Sequence, residues 1–183
     1  MAQQLDPQAM KERQRQEWGA AAAGWRKHDE RVRELTAPVT QRLLELASIE
    51  LGHRVLDIAC GTGEPALPAA RIVGREGYVL ATDLAPEMLA VAREKATAEG
   101  LENVEFRLSD GEELDVETSS FDAVTCRWGI MFMPEPVRCL RQAHDALKPG
   151  GRIALSVWGP PERNPSFVLP AVILRKHLQG PPP

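Results

Sequence analysis

The sequence predicts an α/β fold with a doubly wound, mostly parallel sheet. Two observations carry this: from Arg54 onward short apolar runs alternate with longer segments of helical periodicity, and glycine or proline marks the changeovers. A third is local. Val55-Leu56-Asp57-Ile58-Ala59 is an apolar run that meets Gly61 and Gly63 and then turns helical near Pro65. Such a strand–loop–helix unit aims the unpaired N–H groups of its helix at whatever rests on the loop.

In chain order, Asp6 and Pro7 read as an N-cap and first-turn proline opening a polar helix that runs to about Ala23. Trp18 and Trp25 share a face if the helical phase survives Gly24, and they read first as anchors on the core, with a lid over a substrate as the other role. A second helix, about Pro38 to Ser48, places Val39, Leu43, Leu46 and Ala47 at helical spacing, and Gly52 stops it. The alternation then gives strands at Val55–Ala59, Tyr78–Thr82, Val104–Leu108, Phe121–Arg127 and Ile153–Trp158. Helices are expected at Pro65–Val73, at Pro86–Ala98 and from Pro136, the last facing the sheet with Val137, Leu140, Ala143 and Leu147. A short helix is expected after the acidic turn at Asp110–Glu113, and Lys148-Pro149-Gly150-Gly151 reads as the turn into the fifth strand. Five strands joined by crossovers make a Rossmann-like core. The expected organisation is a helical segment over 1–52, the core over 53–159, and a proline-rich linker with one apolar helix, about Ser166 to Leu178, over 160–183.

Composition narrows the function. A net charge of -4, with basic residues scattered among acids, argues against nucleic acid as a partner. The three cysteines, Cys60, Cys126 and Cys139, form no CxxC or Cys/His cluster, so no metal site and no disulfide framework are expected, and they read as small buried residues. No run approaches the roughly 18 apolar residues of a membrane span, and the polar N-terminus lacks a signal core. A reducing, cytoplasmic setting is expected. His28 and His144 read as surface or packing residues, since no partner for either is visible.

The glycine loop admits two ligands. Gly61-Thr62-Gly63-Glu64-Pro65-Ala66 fits the GxGxxG/A pattern, and Asp83 follows Gly63 by 20 residues, the distance at which an acidic side chain reaches a ribose diol. A dinucleotide would suit that spacing, and an NAD(P)-dependent oxidoreductase is the reading it supports. The charges oppose it: Glu64 stands where a pyrophosphate would lie, with Asp57 just upstream and no basic residue beside them. A cationic, phosphate-free ligand such as S-adenosyl-L-methionine suits an acidic loop better.

At this point the motifs resemble a known family. Val55-Leu56-Asp57-Ile58-Ala59-Cys60-Gly61-Thr62-Gly63 resembles motif I of class I S-adenosylmethionine-dependent methyltransferases. Ala81-Thr82-Asp83-Leu84-Ala85-Pro86-Glu87-Met88-Leu89 is similar to their second-strand signature, Leu108-Ser109-Asp110-Gly111 to their adenine-binding turn, and Leu147 to Gly151 to the turn before their fifth strand. Arg127-Trp128-Gly129-Ile130-Met131-Phe132 resembles the segment after strand four in the ubiquinone/menaquinone-biosynthesis (UbiE-like) type. The likeness spans about Trp18 to Trp158.

The resemblance implies a set of roles. Asp83 accepts from both ribose hydroxyls, Gly61 and Gly63 let the methionine portion lie against the backbone, and Asp57 orients its ammonium directly or through water. Asp110 accepts from the adenine amino group, Gly111 offers its N–H to a ring nitrogen, Leu84 and Met88 sandwich the ring, and the Arg127 backbone approaches the methionine end. Ala59 departs from the pattern, since the family most often has its first glycine there. The implied activity is in-line methyl transfer to carbon or oxygen of a small organic acceptor, a reaction of alignment and desolvation that requires no fixed triad, so no catalytic residue is assigned. A binder of S-adenosylmethionine without turnover is the alternative. Family members usually continue past strand five into a further helix and antiparallel strands. Their absence predicts a C-terminally truncated enzyme with an open strand-five edge, and this edge or the apolar helix would be a surface for homo-oligomers.

Overall fold

The computed structural model describes residues 6–177. Leu178 and the terminal Pro181, Pro182 and Pro183 lie outside the described residues, as does the side chain of Phe167. The sheet has five parallel strands, β1 (Arg54–Ile58), β2 (Tyr78–Asp83), β3 (Val104–Leu108), β4 (Phe121–Arg127) and β5 (Leu147–Ser156), in the order β3-β2-β1-β4-β5. The order reverses on either side of β1. This puts a crevice at the carboxyl ends of β1, β2 and β4, the position from which α/β sheets bind ligands.

Both faces of the sheet are covered, which is why β1 and β2 are apolar without alternation. On one face Val55, Val79, Ala81 and Ala123 pack with Leu43, Leu44 and Ala47, with Ala66, Ala69, Ala70 and Val73, and with Leu89. On the other, Leu56, Ile58, Leu80, Val124 and Phe121 pack with Cys139, Ala143 and Ala146. The covering helices are α1 (Pro7–Lys27), α2 (Asp29–Leu46), α3 (Ala66–Val73), α4 (Pro86–Ala98) and α5 (Pro136–Ala146), and α6 (Pro165–His177) follows the sheet. Each fully buried Leu or Phe of these layers contributes about 1.5–3 kcal/mol.

Several boundaries differ from expectation. The Asp6 carboxylate caps α1 as predicted, accepting from the Gln8 N–H, but the helix passes through Gly24 to Lys27. Trp18, Ala22 and Trp25 then pack together on Met88 and Val91 of α4, which supplies the tertiary support Gly24 lacks in isolation. Helix α2 begins at Asp29, so Pro38 lies in its interior rather than at its start, and it ends at Leu46, ahead of Gly52. Leu44 is buried in place of Leu46, which is exposed. Helix α5 buries Cys139, Ala143 and Ala146 and leaves Val137 and Leu140 exposed, because small side chains let the helix sit close to the sheet. Residues 109–120 form turns and irregular backbone instead of a short helix. Pairing in β5 starts at Leu147 opposite Phe121 and resumes with Arg152 opposite Ala123, so the expected Lys148–Gly151 turn is a bulge inside the strand.

Strand β5 is an edge, paired only with β4 among the described residues, and Ile153, Leu155 and Val157 are exposed, as are Leu169, Val172, Ile173 and Leu174 of α6. Among the described residues no helix is long and apolar enough to cross a membrane.

Candidate donor and acceptor site

The crevice opens into a cavity of about 790 Å³, within the range of small-molecule sites. Its floor is the end of β1. There Ala59 adopts φ +56 and Gly61 φ +54, and a Cβ built on Gly61 would meet nothing within 4 Å, so the loop backbone is open to a ligand. The Ala59 methyl is accommodated because its neighbour across the turn is Gly129, where any Cβ would overlap it.

Eight of the ten residues implicated from sequence line this cavity: Ala59, Gly61, Asp83, Leu84, Met88, Asp110, Gly111 and Arg127. Asp83, at the end of β2, accepts from the Gly61 N–H at 2.8 Å and the Ala85 N–H at 2.9 Å, which ties the glycine loop to the second strand. Burial pushes its carboxyl above the ordinary value, and these backbone donors oppose the shift. Met88 is both core and lining, since it packs with Ala22, Ala85 and Val91 while bordering the cavity.

The remaining two are supports rather than lining. The Asp57 carboxyl is wholly buried: Oδ1 accepts from Thr125 Oγ1 at 2.8 Å, Oδ2 has no hydrogen-bond partner, and the nearby backbone N–H of Ala66, the first residue of α3, favours the ionised form. The N-terminus of α3 therefore already faces a carboxyl group of the chain's own. Desolvation raises the Asp57 pKa to about 7. Gly63 is buried against α3, where a Cβ would come within 2.9 Å of the Leu67 side chain, so it lets that helix approach the loop.

At the far end of the cavity Asp110 is engaged by a residue with no sequence signal. Lys11 Nζ of α1 lies 2.6 Å from Asp110 Oδ2 and 2.6 Å from Glu112 Oε2, and both Lys11 and Glu112 are buried. The Asp110 Oδ1 atom accepts from the Glu112 N–H at 2.9 Å. Gly111 lets this turn pack closely, since a Cβ would come 2.7 Å from Met133 Cε and 2.9 Å from Ile58 Cγ2.

The aromatic end of the cavity is otherwise apolar, with one polar network. Sequence reasoning gave Arg127 only a backbone role, yet its guanidinium donates through Nη1 to Thr36 Oγ1 at 2.8 Å and Thr40 Oγ1 at 3.0 Å of α2. The two threonines stand one helical turn apart on the same face. Thr40 Oγ1 in turn donates to Glu64 Oε2 at 3.4 Å, a long bond, and Arg127 Nε is buried without a hydrogen-bond partner. Burial pushes the Glu64 carboxyl up and the Arg127 guanidinium down, and their mutual attraction opposes both shifts. The Arg127 guanidinium lies 5.0 Å from the Trp128 ring centre, and Trp128 stacks on Trp158 at 4.6 Å and 6°. Trp18 meets Phe132 edge-on at 5.2 Å and Trp25 at 6.4 Å. The tryptophans of α1 thus line the cavity as well as anchoring the helix. The aromatic segment after β4 was visible only as a motif, and the Thr36–Thr40 spacing was its one unused companion signal.

Fold and site first define a class: a Rossmann-like α/β unit with carboxylates lining the cavity at its strand ends and the buried Asp57 beside the N-terminus of α3. A methyltransferase-domain family profile matches residues 55–151, and the chain belongs to that family. It is 39% identical over 123 residues to aklanonic acid methyltransferase DauC of Streptomyces sp. (strain C5), covering 67% of this chain and 56% of that protein. It is 38% identical over 111 residues to demethylmenaquinone methyltransferase of Listeria monocytogenes, covering 61% of this chain and 47% of that protein. A solved SAM-dependent methyltransferase from Aquifex aeolicus superposes with a TM-score of 0.61 at 26% identity, covering 75% of this chain and 77% of that one. The chain spans about half the length of the curated relatives it matches.

Proposed function

We propose that this chain binds S-adenosyl-L-methionine and transfers its methyl group to carbon or oxygen of a small organic acceptor. The observation that carries the reading is that the buried carboxyl of Asp57 stands beside the α3 N-terminus while Asp83 lines the cavity. A dinucleotide needs that helix terminus for its pyrophosphate, and a phosphate there would meet the buried Asp57 and Glu64 instead. A sulfonium donor with an adenosine diol needs only the acidic side chain at the end of β2, open loop backbone and an apolar wall. The family and the small organic molecules in the names of both curated relatives support the same reading.

The bound donor supplies an electrophilic methyl group; the chain supplies everything that aligns it. Asp83 accepts from the ribose hydroxyls with lone pairs left over from Gly61 and Ala85. Gly61 and Ala59 admit the methionine portion to the loop, and Asp57 and Gly63 hold that loop in place from behind. Leu84, Met88 and Gly111 border the adenine, and Lys11 fixes Asp110 at its edge. The aromatic end, with Trp128, Trp158 and the α2 face, takes the acceptor and excludes water from it. The exposed β5 edge supports self-association of the chain, and sedimentation velocity finding only monomer across concentration would refute that part.

Calorimetric titration with S-adenosylmethionine, S-adenosylhomocysteine and NADH tests the donor. Binding of the two sulfur compounds is expected; binding of NADH alone would overturn the reading. Release of S-adenosylhomocysteine across a panel of acceptors then separates an enzyme from a binder.

A further inference from the structure

The polar network in the aromatic end has more to it than support. Glu64 borders the cavity, is only 7% exposed, and carries a single hydrogen bond, the long one from Thr40 to Oε2; Oε1 receives none from the described residues. Oε1 therefore keeps its lone pairs for a group that enters the cavity. The nearest cation does not neutralise it by contact. Arg127 is held off by its two bonds to Thr36 and Thr40, so guanidinium and carboxylate communicate through one hydroxyl, and Arg127 Nε is likewise left without a partner. An acid with a free oxygen and a cation with unused donors therefore border one apolar chamber, joined by a threonine.

From this arrangement we infer that Glu64 is the general base of methyl transfer and that Arg127 stabilises the oxyanion it creates, for acceptors that carry a phenol or an enolisable 1,3-dicarbonyl group. The inference rests on the methyltransferase reading above. In the step, the acceptor O–H or C–H bond breaks heterolytically, the proton passes to Glu64 Oε1, and the electron pair stays on the acceptor. That pair forms the new bond to the methyl carbon as the carbon–sulfur bond breaks, and its electrons leave with a neutral thioether. The Arg127 guanidinium donates to the acceptor oxygen while it carries negative charge. Thr40 is a positioning residue: it keeps the cation and the carboxylate from collapsing into an ion pair that would quench both.

Burial favours a protonatable Glu64, and the charges around it are known. Arg127 on β4, Lys95 on α4 and Arg71 on α3 favour its ionised form, while Asp29 on α2 opposes it. An acid limb in the pH–rate profile is the expected signature.

The test uses the full chain and two kinds of probe acceptor: nitrophenols already ionised at neutral pH, and hydroxynaphthalenes that are not. Glu64→Gln should bind S-adenosylhomocysteine within about threefold of wild type, since the base is not a donor contact. Turnover of the un-ionised probes should fall about 100- to 10,000-fold with loss of the acid limb, whereas ionised probes are largely spared. If the variant does not fold, the wild type alone carries the test, because only un-ionised probes should show the acid limb. Equal loss for both probe classes would overturn the inference, as would an acid limb common to both. A loss of S-adenosylhomocysteine affinity beyond tenfold would assign Glu64 to the donor's ammonium instead. Donor binding with no turnover of any phenol or dicarbonyl probe also overturns it, while leaving the donor site intact. A wild-type chain that binds neither sulfur compound overturns the methyltransferase reading itself.

Discussion

Replacing Gly129 with alanine isolates a single steric contact beneath the proposed donor site. Gly129 sits at φ -92 and ψ -46, ordinary right-handed backbone, so alanine carries no conformational penalty there. Its new Cβ would, however, overlap the Ala59 methyl and come 3.1 Å from Cys126 Sγ. Overpacking of this kind costs about 1–3 kcal/mol. Ala59 holds its own position at φ +56, a left-handed conformation worth about 1–2 kcal/mol of strain in an L-residue. Ala59→Gly removes that strain and the methyl together, against about 0.5–1 kcal/mol for the freedom glycine gains when unfolded. Ala59→Gly alone should therefore be neutral or stabilising by up to about 1.5 kcal/mol. Gly129→Ala alone should lower the melting temperature by about 2–10 °C for a chain of this size. The double variant should recover most of the loss, leaving only the Cys126 contact, with a coupling of about 1–2 kcal/mol in a double-mutant cycle by urea unfolding. If the losses simply add, the contact does not limit packing and the explanation offered for Ala59 fails. Because Ala59 and Gly129 both line the cavity, the cycle should be repeated with S-adenosylhomocysteine.

Three further outcomes are expected. Asp83→Ala should abolish measurable S-adenosylmethionine binding in calorimetry while the far-ultraviolet spectrum stays folded; unchanged affinity would remove Asp83 from the site. Asp57 has a folded pKa of about 7 against 3.8 when solvated, so the native state binds its proton more tightly, and this contribution to stability is full below pH 4 and lost as pH rises towards 7. The loss amounts to about 4 kcal/mol at most, and urea curves of Asp57→Asn against wild type should diverge over that window; parallel curves would mean that Asp57 titrates normally. Lys11→Met should destabilise the chain by about 3–5 kcal/mol, because it leaves the buried Glu112 without its cation, and a change below about 1 kcal/mol would show the pair to be dispensable.

Much of the core was legible because its signals are local. Helix α4 and strands β3 and β4 lie where proline, glycine and the apolar runs place them, since each boundary is set by residues within a few positions of it. The errors arose where packing overrides the local signal. Pro38 reads as a helix start by its own chemistry, but Leu43 and Leu44 pack on the sheet and α2 extends back to Asp29. Val137 and Leu140 are the more apolar residues of α5, yet the closer approach available through Cys139, Ala143 and Ala146 decides its face.

The sequence by itself determined the class of fold, the glycine loop, and the acidic side chains at 57, 83 and 110, because spacing along a β/α unit translates directly into position at a strand end. Only the tertiary structure decided how they are used. It turned Asp57 and Gly63 inward as supports, set Lys11 against Asp110, and joined Thr40 to both Glu64 and Arg127. The Thr40–Glu64, Thr40–Arg127 and Lys11–Asp110 contacts link residues 24 to 99 positions apart, and no local periodicity encodes a pairing across two layers of a sheet.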